Sequence, residues 1–152
     1  MREDDVVLNA EWTDIDIEIV LDSGCSDHVM DVEQFAPGYR IVESPGSKRG
    51  GGFIVGNGER VTNDGQASLI LESVVRPGVT QQFKSTFQAA RVTRPLMSVA
   101  KICQNGFKCV FGDDRAQVLD ADGNVACVFE KRGGLYLTQM KVKAPPPFTG
   151  PA

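Results

Sequence analysis

The chain has 152 residues, 41% of them hydrophobic and 24% charged, with a net charge of −4 and a pI near 5.0. That length and balance predict one globular domain with a buried core. The acidic balance argues against a nucleic-acid-binding surface, and with no apolar run of ~18 residues no membrane span is expected.

Met1-Arg2-Glu3-Asp4-Asp5 is followed only by the short apolar patch Val6-Val7-Leu8, so no secretory leader is expected, and that patch reads as an outer strand. Cys25, Cys103, Cys109 and Cys127 form neither a CxxC pair nor a dense framework, which predicts free thiols in a reducing, cytoplasmic compartment. His28 is the only histidine, so any site needing two is excluded.

From Trp12 the pattern sharpens. Ile15, Ile17, Ile19 and Leu21 share one parity and Asp14, Asp16 and Glu18 the other, the period of a strand with one wet face. At Ile19-Val20-Leu21 the alternation gives way to a continuous apolar run that ends at Asp22. Residues 31–46 read as loop, with Pro37-Gly38 and Pro45-Gly46 as turns. The glycine-rich Ser47-Lys48-Arg49-Gly50-Gly51-Gly52 leads into a strand at Phe53-Ile54-Val55. Gly56-Asn57-Gly58 reads as a hairpin turn, and Glu59-Arg60-Val61 as the returning strand. Asn63-Asp64-Gly65 is a second turn; Ala67, Leu69 and Leu71 share a face of the next strand, which Pro77-Gly78 closes. Phe83 to Val92 is a further strand. Pro95 to Cys103 reads as the one helix, with proline in its first turn and Asn105-Gly106 after its end. Strands follow around Phe107–Phe111, Val118–Leu119, Val125–Phe129 and Leu135–Val142. The expected organisation is an N-terminal extension over 1–11, an all-β barrel with one short helix over 12–142, and a Pro-rich linker over 143–152.

The chemistry concentrates at Asp22-Ser23-Gly24. A carboxylate ending an apolar strand is costly to bury unless backbone N–H groups hold it, and Ser23 and Gly24 supply such groups. Taken by itself the tripeptide also fits an Asx turn with no chemistry. Cys25-x-x-His28, with Cys103 and Cys109, is a possible zinc set, although structural zinc generally uses two close pairs. A Cys25–His28 thiol nucleophile is the less favoured reading, since two intervening residues in a turn rarely give in-line geometry.

The apolar strand followed by Asp22-Ser23-Gly24-Cys25-Ser26-Asp27-His28 resembles the protease segment of copia-type retrotransposon Pol polyproteins. Further along, Val55-Gly56-Asn57-Gly58-Glu59-Arg60-Val61 is similar to that family's glycine-containing hairpin. Leu96-Met97-Ser98-Val99 is similar to its Leu-Leu-Ser-Val helix, and Gly134-Leu135-Tyr136-Leu137 to its closing strand. The resemblance implies a retropepsin-like closed barrel and aspartic endopeptidase activity on a polyprotein, without metal or other cofactor. With one Asp-Ser-Gly per chain, it implies a homodimer in which the two Asp22 carboxylates share a proton and activate water.

By the same resemblance Ser23 and Gly24 would support the active-site loop, and Ser26 and Asp27 would contact substrate. A flap would come from Gly51, Gly52 and Phe53 or from Gly56, Asn57 and Gly58. Retroviral proteases carry an aspartate where Ser26 stands, and their second-half apolar-apolar-Gly motif has no match here, since Leu96-Met97-Ser98 lacks the glycine. A polypeptide substrate and a second copy of the chain are the implied partners, with no nucleic acid and no membrane. The alternative is a non-catalytic β-barrel interaction module derived from such a protease.

Overall fold

The computed structural model describes residues 11–55 and 57–146. The strand expected at Val6-Val7-Leu8, Gly56 of the hairpin turn, and the tail from Pro147 lie outside the described residues. The fold is all-β: of the described residues 53% lie in strands and 10% in helices. None of the described helices is long and apolar enough to cross a membrane.

Strand β1 (Thr13–Asp22) sets the frame. Its apolar parity goes inward: Ile17, Ile19 and Leu21 are buried, and Ile15 packs beside them. The wet parity meets complementary side chains on the last strand, β11 (Leu135–Ala144), which pairs antiparallel to it from Thr13↔Ala144 to Leu21↔Tyr136. Asp14 lies 2.9 Å from Lys143 and Asp16 3.6 Å from Lys141, and Gln139 donates to Glu18 at 3.1 Å. Each exposed pair is worth little alone. The register is fixed mainly by the apolar face, because a one-residue slip would bury the three acids and expose the isoleucines.

Between these ends come β2 (Val29–Met30), α1 (Val32–Phe35), α2 (Pro45–Lys48), β3 (Gly52–Ile54), β4 (Arg60–Thr62), β5 (Gly65–Arg76) and β6 (Val79–Ala89). They are followed by β7 (Leu96–Ser98), α3 (Val99–Gln104), β8 (Lys108–Phe111), β9 (Arg115–Leu119) and β10 (Val125–Arg132). The main sheet runs β1-β7-β2-β6-β5-β11-β10-β9-β8, and β11 bonds β1 as well as β5. Pairing therefore returns to β1 through β7, β2, β6, β5 and β11, around a core that includes Ile19, Leu69, Phe87 and Val142. The hairpin β3–β4 stands apart as a two-stranded sheet.

Several elements differ from the sequence expectation. The helix expected from Pro95 begins only at Val99, because Leu96-Met97-Ser98 is captured as a strand: Leu96 pairs with both Val20 and Val29. Ser98 then caps the helix, its hydroxyl accepting from Lys101 N–H at 3.1 Å. The stretch 31–46 contains two further short helices. Asp31 caps α1, and Ser44 and Ser47 form a reciprocal capping box ahead of α2, where Pro45 takes the first turn. Strand β6 starts at Val79, not Phe83, since its polar Thr80-Gln81-Gln82 is recruited by backbone pairing to β5 rather than by burial. β11 carries the sheet on to Ala144, two residues past the expected linker boundary at Val142.

Candidate active site

Asp22 is the last residue of β1, and the neighbouring strand holds it in place. β7 runs parallel to β1 in the register Val20↔Leu96, Leu21↔Met97, Asp22↔Ser98. The segment Leu96-Met97-Ser98 thus lies beside the aspartate, with Ser98 level with it.

Beyond Asp22 the chain turns through Ser23-Gly24, and Gly24 N–H donates to Asp22 Oδ1 at 2.7 Å. Gly24 does not adopt a positive φ, so glycine is not demanded by backbone strain. A Cβ there would rest 3.4 Å from the same carboxylate oxygen, and glycine leaves that side of the acid uncovered. No lysine or arginine salt-bridges Asp22 among the described residues.

The rest of the loop is tied down from behind. Ser98 Oγ donates to Cys25 C=O at 2.5 Å, and Ser98 N–H donates to His28 Nδ1 at 2.9 Å. Lys101 Nζ sits 3.2 Å from Asp27 Oδ1. Ser98 is fully buried, and His28 is 5% exposed, its ring 5.2 Å from the Phe87 ring centroid. Burial holds the His28 pKa down at about 4, against an ordinary 6.5; the Asp27 carboxylate opposes that shift and the Lys101 ammonium adds to it.

In front of Asp22 opens a cleft of about 1110 Å3. Asp22, Gly24 and Ser26 line it on one side, and Gly52, Phe53 and Asn57 on the hairpin side. The hairpin is held over the loop by a second apolar cluster, in which Phe53, Val55, Val61 and Cys25 pack on Val29, Ala90 and Val92. Its foot is pinned by Asn63, whose N–H donates to Gly51 C=O at 3.0 Å and whose amide donates to Gln88 at 3.0 Å. Ile54, at 77% exposure, is left without apolar cover.

Of the residues singled out from sequence, the cleft therefore brings together Asp22, Gly24, Ser26, Gly52, Phe53 and Asn57. Ser23 is exposed beside it. Asp27 pairs with Lys101 and is not among the residues that line the cleft. Gly51 belongs to the hairpin foot and Gly58 to its tip turn, at φ 84°. Gly56 lies outside the described residues. Leu96, Arg94 and Leu135 also line the cleft, unforeseen from sequence because they are more than seventy residues from Asp22 and reach it only through sheet pairing.

The zinc reading finds no support in these positions. Among the described residues no three histidine, cysteine or acidic side chains are grouped to hold a metal, and His28 Nδ1 is occupied by Ser98 N–H. Nor is Cys25 set up as a nucleophile, since its thiol donates to Asp27 C=O at 3.0 Å. Its pKa is raised, first by burial and then by the Asp22 and Asp27 carboxylates.

Gly52 gives the site a local test. A Cβ on Gly52 would fall 2.3 Å from Val61 C=O, inside any tolerable contact with backbone. Gly52→Ala is expected to push β3 off β4 while leaving the main sheet intact. Amide exchange at Phe53 and Val61 should accelerate at least about tenfold with the core amides of β5 unchanged. Unchanged hairpin protection would show that the strands do not pair this closely.

No protein-family model, curated protein or solved structure matches this chain. The functional reading therefore rests on the site itself.

Proposed function

We propose that the chain is an aspartic endopeptidase of retropepsin-like, closed-barrel architecture, working as a homodimer on an extended polypeptide such as the polyprotein of a copia-type retrotransposon. The observation that carries this reading is the placement of Asp22. It ends an apolar strand, accepts a hydrogen bond from the glycine two residues on, and faces a cleft roofed by a hairpin.

One carboxylate per chain dictates the second copy. Peptide hydrolysis needs a base to take a proton from water and an acid to polarise the scissile carbonyl. Two aspartates held close supply both, because they share a single proton. With Asp22 from each copy at a two-fold axis, one would activate water while its protonated mate binds the carbonyl oxygen. The exposed Ser23 hydroxyl is free to bond across that axis. The hairpin supplies the flap, with Ile54 and Asn57 turned to an extended substrate.

Incubation with an unfolded polypeptide at about pH 5, where a shared-proton pair operates, tests the reading. The expected result is cleavage whose rate rises as the square of protein concentration at low concentration, alongside a dimer in sedimentation. A monomer with no cleavage at any concentration would sink the catalytic reading.

A further inference from the structure

We propose that Ser98 and His28 are positioning residues that together form an acid-released latch on the Asp22 loop. The latch is a property of the fold; its consequence for catalysis rests on the aspartic-protease reading.

Three bonds converge on Ser98. Its N–H donates to His28 Nδ1, its hydroxyl donates to Cys25 C=O, and the same hydroxyl oxygen accepts Lys101 N–H as the cap of α3. One buried side chain thereby joins the end of β7, the start of α3 and the turn that follows Asp22. The β7 register sets Ser98 opposite Asp22 itself, so any shift of β7 is passed to both ends of the loop at once. A glycine at 98 would keep the N–H bond but remove the hydroxyl, leaving Cys25 C=O and the helix cap without it. Serine here does work that backbone alone would not.

His28 makes the latch conditional. A backbone N–H can only donate, so Nδ1 must be unprotonated for the bond to exist. Protonation of the ring puts a second donor against Ser98 N–H and breaks it. The groups that set where this occurs are few. Burial against Phe87 disfavours the charged ring, Lys101 disfavours it further, and Asp27 favours it. Lys101 and Asp27 are themselves paired at 3.2 Å, which moderates both influences. The ring also lines a separate cavity of about 620 Å3, bordered by Met97, Lys101 and Ile102, through which a proton can reach it without passing the Asp22 cleft. The folded ring charges near pH 4, so the loop stays latched at pH 5 and comes free in stronger acid.

The test is an NMR titration of the whole chain, following the His28 ring, the Ser98 amide and hydrogen exchange at Gly24. The ring and the Ser98 amide are expected to titrate together with a midpoint near pH 4, and the protection of Gly24, measured against its intrinsic exchange rate at each pH, to fall by about tenfold or more below it. His28→Gln offers an uncharged acceptor to Ser98 N–H. It should abolish the pH step at the Ser98 amide. Ser98→Ala should accelerate Gly24 exchange at every pH by about tenfold, and Ser98→Thr should restore it. A Ser98 amide that ignores the His28 titration, a midpoint near 6.5, or Gly24 exchange unchanged in Ser98→Ala would each overturn the latch. None of these outcomes depends on cleavage, so the latch and the protease reading can fail separately.

Discussion

Replacing Asp22 by Asn is expected to lower peptide cleavage by roughly 10²–10⁴-fold, the usual contribution of a positioned acid–base group, while leaving the fold in place. The amide oxygen of Asn can still accept Gly24 N–H, the one bond the carboxylate makes within the loop. β1 and its pairing to β11 do not involve the Asp22 side chain. What is lost is the ionisable oxygen. A pair of Asn amides can neither take a proton from water nor lend one to a carbonyl. Turnover and circular dichroism measured on the same sample check this: cleavage should fall by that factor while the spectrum and melting temperature hold. Cleavage persisting in Asp22→Asn would place the chemistry elsewhere.

The largest stability effect is expected at Phe87. Its ring is fully buried at the junction of β6 with the loop, against His28 on one side and the core on the other. Phe87→Ala removes that ring and leaves a cavity, at a cost of about 3–5 kcal/mol. For a chain of this size that corresponds to a melting temperature lower by about 6–20 °C. The same substitution acts on His28. With water admitted beside the imidazole, its pKa should climb from about 4 back toward 6.5.

This links to the pH dependence of the wild type. The fold depresses the pKa of a base, so between those two values the unfolded chain binds a proton that the folded chain does not. The contribution is fully present above about 6.5 and is lost as pH falls toward 4, on the order of 3 kcal/mol in all. Denaturant melts at pH 7 and pH 4 measure it. His28→Gln should flatten that part of the profile, and an unchanged profile would show that His28 is not the titrating group.

Much of this architecture is legible in the sequence. The alternation from Ile15 to Leu21 gave β1 and its inward face, because a half-buried strand leaves its period in the sequence. Asp22-Ser23-Gly24 marked the turn at its end, and glycines around Asn57 marked the hairpin. How the two glycine segments combine was not legible. Only the pairing of Gly52–Ile54 with Arg60–Thr62, with Gly51 tied to Asn63, puts one at the foot and the other at the tip of a single hairpin.

Ser98 was hidden for a different reason. Leu96-Met97-Ser98-Val99 has helical spacing, and its capture as a strand depends on Val20 and Val29, which are far away in sequence. Its role is therefore a matter of non-local register, which a local pattern does not carry. The burial of His28 was equally silent, since Phe87 covers it from another strand.

The central claim is that two Asp22 carboxylates, one from each copy, form a single catalytic pair. Mixing tests it most directly: wild type and Asp22→Asn are combined in equal amounts at fixed total concentration, allowed to exchange subunits, and assayed on an unfolded polypeptide. If the pair is shared between copies, about one quarter of the wild-type activity should remain, because only dimers with two intact aspartates cleave. Retention of about one half, as for independent subunits each complete in itself, would contradict the account.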